Sequence, residues 1–128
     1  MKERATDSME NQWGFHGKHD CGPRSLLRAV PELDPVRARD AFTLCSEKWP
    51  YGGVSNREFE IAVKFLGLEH EYCGDEETLK DVLDRQPSRC VALLWGHFIA
   101  IRDGQVAGYE LLPETPAKTK VVCSWVFR

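Results

Sequence analysis

The segment HDCGPRSLL, residues 19–27, sets a cysteine between an aspartate and a glycine–proline pair, where an apolar periodic run is about to begin. A cysteine at a helix start faces backbone N–H groups that the helix leaves unpaired, and the positive end of the helix dipole. Both favour thiolate over thiol, and the thiolate is the nucleophilic form. Cys21 therefore has the local electrostatics of a nucleophile. Gly22 is expected to leave space for a substrate carbonyl, and the N–H groups of the same turn are placed to donate to an oxyanion. The plainer reading is a small residue in a tight turn. A second segment, GHFIAIRDG over residues 96–104, carries a histidine at the head of a strongly β-prone run. A lone strand histidine is most often a satisfied core residue. A helix-start thiol followed by a strand-borne imidazole, however, is the order in which a nucleophile meets its general base. The chemistry this implies is acyl transfer through a thioester, with Cys21 and His97 as the reacting pair.

The elements that must position them follow from periodicity and punctuation. A first helix is expected over Gly22–Val30, with Asp20 as its cap, Pro23 in its first turn and Leu26, Leu27 and Val30 as its apolar stripe; Pro31 ends it. A second helix is expected over Pro35–Lys48, after the cap Asp34. Ser55-Asn-Arg-Glu58 reads as a capping box opening a third helix through Phe59, Ile61, Ala62, Phe65 and Leu66, closed by Gly67. A short fourth helix, Glu76–Arg85, follows the cap Asp75. Strands are then expected over Cys90–Trp95, His97–Arg102, Gln105–Leu111 and Lys120–Phe127, with Leu68–Tyr72 as one more short strand. Asp103-Gly104 signals a hairpin. Helices first and antiparallel strands second is an α+β pattern.

Composition bounds the remaining choices. The 128 residues suit one domain, with residues 1–10 expected to be flexible. A net charge of −3 provides no basic footprint, so nucleic acid is a poor partner. The apolar runs are too short to span a bilayer, and the polar start lacks the apolar core of a signal peptide. Five widely spaced cysteines, an odd number, point to reduced thiols in a cytoplasm rather than a disulfide framework. Cys45, Cys73, Cys90 and Cys123 read as small buried hydrophobes, and His70 as a surface residue.

DCGPRSLL together with GHFIAI resembles the papain-like cysteine peptidases, most closely the small bacteriocin-processing type; the Josephin type of deubiquitinase has a comparably short order of elements. The resemblance implies a minimal papain-like α+β fold in which a CGP-bearing cysteine opens the first helix and a GH-aromatic strand brings the histidine. It further implies a peptide or protein substrate, no cofactor, and a compact enzyme in the cytoplasm of a bacterium, or of a host cell if viral. Two positions depart from the family pattern. Where a glutamine six residues before the cysteine completes the oxyanion hole, this chain has Phe15, which leaves Gln12 as the candidate, with Asn11 and His16 as rivals. Where an Asp or Asn orients the histidine, the following strand has neither, and Glu110 is the best carboxylate, ahead of Glu114 and Asp103.

Among the aromatics, Trp13, Trp49 and Tyr51 are candidate walls of a substrate groove, whereas Trp95 reads as core. His16, His19 and Cys21 form a compact ligand-rich stretch. With no Cys-x-x-Cys pair and no evident fourth ligand, a metal is not expected there. Two rival functions share these residues. One is acyl transfer or deamidation by the same dyad. The other is a papain-like binding module whose triad has decayed.

Overall fold

The computed structural model describes residues 13–15, 17–108 and 114–128. Among the elements whose bounds lie within the described residues, the helices α1 Cys21–Ala29, α2 Pro35–Cys45 and α3 Asn56–Phe65 come first. α1 buries Leu26, Leu27 and Ala29 and closes with Val30 N–H on the Leu26 carbonyl, just before Pro31. α2 starts as expected, with Asp34 accepting from Val36 N–H and Pro35 at the first helical position. It stops at Cys45 rather than Lys48. The Glu58 carboxylate accepts from Ser46 Oγ (3.1 Å) and from Glu47 N–H (2.9 Å), which draws these residues out of the helical path. The Ser55–Glu58 capping box of α3 is present in full.

The strands are β1 His70–Cys73, β2 Glu77–Thr78, β3 Arg89–Leu94, β4 His97–Arg102, β5 Gln105–Ala107, β6 Lys120–Val121 and β7 Cys123–Phe127, with the helix α4 Leu79–Asp84 between β2 and β3. The main sheet runs β1-β7-β3-β4-β5, antiparallel throughout, and β2 pairs with β6 as a small second sheet. The expected α+β order is therefore present, with local corrections. The fourth helix begins behind Thr78, not Asp75, because Glu77 and Thr78 pair with Val121 and Lys120; Thr78 and Asp81 then form its capping box. The last expected strand is two, since Val122 turns out of register and donates its N–H to the Leu93 carbonyl at 2.8 Å. Asp103 and Gly104, both at positive φ, close the β4–β5 hairpin as the sequence indicates.

Period-two alternation divides the sheet into two buried faces. Val91, Phe98, Ala100, Cys123, Trp125 and Phe127 pack with α1, α2 and α3. Cys90, Ala92, Leu94, Ile99 and Ile101 pack with Leu79 and Val82 of α4. Trp95 belongs to neither, against expectation. Leu94 pairs directly with His97, so Trp95 and Gly96 are a two-residue hairpin loop, and Trp95 is 86% exposed. His70 is also corrected: its ring nitrogens lie 2.8 Å from the Leu68 carbonyl and 3.0 Å from the Glu60 carboxylate, which pins β1 to α3. Among the described residues, no helix is long and apolar enough to cross a membrane.

Candidate active site

α1 lies against the head of β4. Ser25 Oγ donates to the Phe98 carbonyl at 3.0 Å in a buried bond that joins residues 73 apart in the chain. A hydroxyl inside an otherwise apolar helix face was the signal for such a bond. Phe98 also covers the first turn of α1: a Cβ placed on Gly22 would meet its ring at 3.5 Å and Val54 at 3.6 Å. Gly22 is buried there, so its bare face points into the core. The expected opening for a substrate carbonyl at that face is not present. The cysteine before it is different, since Cys21 is half-buried and packs at the rim of the main core.

His97 is the first residue of β4, immediately before Phe98, and is half-buried. Strand alternation assigns it to the side of Ile99 and Ile101, opposite Phe98. It has an interaction partner of its own. The fold thus brings the heads of the two elements together through Gly22, Ser25 and Phe98.

The supporting residues depart further from expectation. Trp13 and Trp49 face inward rather than lining a groove. Trp49 is 7% exposed and sits between Phe15 and Phe42, with ring centroids 6.0 and 6.1 Å away. Trp13 is equally buried, and its carbonyl accepts from Arg39 Nη2 at 2.8 Å. Phe15, where the family pattern has glutamine, is a core residue under the Arg39 guanidinium, 5.3 Å from its ring centroid. Only Tyr51 among the three candidate aromatics stands free, at 92% exposed. Gln12, Glu110, Asn11 and His16 lie outside the described residues, as do residues 1–10. Asp103 is held in its hairpin turn, and Glu114 is exposed.

Asp20 is the residue that reasoning from local sequence misassigned. It does not cap α1. Its Oδ1 accepts from the Trp49 indole N–H at 2.9 Å and its Oδ2 from Gly17 N–H at 2.8 Å, in a buried position. Among the described residues, no group of three or more His, Cys, Asp or Glu side chains is placed to hold a metal ion. Comparison of the chain with family models, with curated proteins and with solved structures yields no match.

Proposed function

We propose that this chain is a thiol hydrolase of papain-like organisation that cleaves a peptide or isopeptide amide bond through Cys21 and His97. The observation that carries the reading is the seating of a cysteine-headed helix on the strand headed by histidine, through the Gly22–Phe98 contact and the Ser25–Phe98 bond. With substrate bound, His97 turns to the thiol and takes its proton. The thiolate adds to the amide carbonyl carbon, and the developing oxyanion is met by backbone N–H groups of the first turn of α1. The C–N bond then breaks, His97 returns its proton to the leaving amine, and water hydrolyses the thioester to release the acid and the free thiol. No cofactor enters. Gln12 is the candidate for a second oxyanion donor, and Glu110 for the group that orients the imidazole.

Replacing water by an amine would make the same dyad an acyltransferase, and a side-chain amide as substrate would make it a deamidase. The rival of another class is a binding module that has lost its triad, and it draws on Phe15, a core residue where the family pattern has glutamine. The test is hydrolysis of a diverse peptide pool, followed by mass spectrometry, for the native chain and for Cys21→Ser and His97→Ala. Cleavage by the native chain alone supports the hydrolase. Cleavage retained in Cys21→Ser sinks it, and a pool left intact by the native chain favours the binding module.

A further inference from the structure

Three helices of this chain start from a residue of extended backbone whose side chain accepts from the first turn: Asp34 from Val36 N–H, Ser55 from Glu58 N–H and Thr78 from Asp81 N–H. Asp20 stands in the same position before α1 and is of a type that caps well. Its backbone has φ −96° and ψ 8°, and its side chain makes no cap bond. The carboxylate is drawn backwards instead, one oxygen to the Trp49 indole and the other to Gly17 N–H, and the residue is only 6% exposed. Both bonds are short and directed, and each ties Asp20 to a different segment. Gly17 belongs to the turn before the cysteine, where the Asp20 N–H also returns to the Gly17 carbonyl at 3.2 Å. Trp49 belongs to the segment between α2 and α3.

The first turn of α1 is left bare as a result. Pro23 has no N–H, the Arg24 N–H is taken by the Asp20 carbonyl at 2.9 Å, and the N–H groups of Cys21 and Gly22 fall outside the helical ladder. A carboxylate capping Gly22 N–H would offset the positive end of the helix and place an anion beside the sulfur. Both effects oppose thiolate formation. Resting on the reading of Cys21 as a nucleophile, we infer that Trp49 and Gly17 act on it through Asp20: their bonds hold the carboxylate off the helix and keep an anion away from the Gly22 N–H beside the sulfur. The cationic side chains nearby in sequence are consistent with this. Arg24 reaches the Gly17 carbonyl with Nη2 at 3.4 Å, and Lys18 occupies the same turn.

Trp49→Phe tests the inference, because it removes the indole donor and keeps the aromatic packing. The freed carboxylate then turns to Gly22 N–H. At pH 6 the second-order rate of Cys21 alkylation by iodoacetamide, followed by peptide mass mapping, falls by about threefold or more, and the Gly22 amide resonance shifts as it gains an acceptor. Removing the carboxylate as well, in Asp20→Ala/Trp49→Phe, restores the alkylation rate. If that double variant is too unstable to measure, Asp20→Asn/Trp49→Phe replaces it; a neutral cap carries no opposing charge, so the rate is again restored. An alkylation rate unchanged in Trp49→Phe overturns the inference, as does a slow rate that persists in the double variants. These readouts need no substrate. Selective labelling with the expected variant pattern but no peptide cleavage would sink the peptidase and leave Asp20's role standing. A native Cys21 that labels no faster than the other thiols would sink the nucleophile itself.

Discussion

Burial pushes the Cys90 thiol up to about 12, and it raises Cys45 and Cys123 as well. Desolvation disfavours the thiolate in all three, and Cys90 and Cys123 are core residues. Cys21 is half-buried at a helix start. Brief alkylation near pH 6 should therefore label Cys21 first and Cys90 last, and His97→Ala should slow labelling of Cys21 without altering the order among the rest. Equal labelling of Cys21 and Cys73, which is also half-buried, would remove the case for activation. Glu110→Gln carries a companion expectation. If that carboxylate orients the imidazole, turnover falls by roughly tenfold, about 1.4 kcal/mol of transition-state stabilisation. An unaltered rate would leave the dyad to act without it.

The β3–β4 hairpin is the element that aims the candidate base. Its two-residue loop forces Gly96 to φ +71°, and a Cβ there would meet nothing within 4 Å. Gly96→Ala is thus a clean conformational test: the left-handed backbone should cost about 1 kcal/mol, read from urea unfolding, with no clash beyond the neighbouring residues. Trp95 beside it presents the opposite case. Its side chain is almost wholly in solvent, so Trp95→Ala should leave the unfolding midpoint in place. Because it borders His97, the same substitution should raise KM for a cleaved peptide while sparing kcat. An unchanged KM would take Trp95 out of the substrate path.

Across the whole molecule, two glutamates of α3 hold distant segments together. Glu58 is kept below its usual 4.5 by the N–H groups of Glu47 and Ser55 and by the Ser46 and Ser55 hydroxyls, which outweigh its burial. For Glu60, burial alone would raise the value, but hydrogen bonds from His70 and the Trp125 indole, with the charges of His70 and Lys64, bring it lower. A carboxyl depressed on folding contributes stability that is complete above its unfolded value and lost as pH falls through the folded one. The urea midpoint should therefore hold steady from neutral pH down to about 5, then decline below about 4.5 as both groups protonate. Glu60→Gln should make that decline shallower while lowering the neutral plateau. A decline of the same steepness in the variant would assign the acid sensitivity elsewhere.

Features whose partners lie within a few residues were legible in the sequence. The Asp34 cap, the Ser55–Glu58 box and the Asp103-Gly104 turn close within two to four positions, so residue type alone decides them. The helices-then-strands order is set the same way, by local periodicity summed over each segment. Where the structure departs, a remote partner outbid a local one. Glu58, twelve residues away, ends α2 by taking Ser46. Lys120 and Val121 hold Glu77 and Thr78 in a strand and so move the start of α4. Trp49, twenty-nine residues from Asp20, takes the carboxylate that would otherwise have capped α1. Which residues could form a thiol–imidazole pair was decided by type and order. That helix and strand meet at Phe98, that Trp49 is buried, and that Asp20 turns away from Cys21 were decided only once the chain had closed on itself, because each rests on contacts between segments that no local window contains.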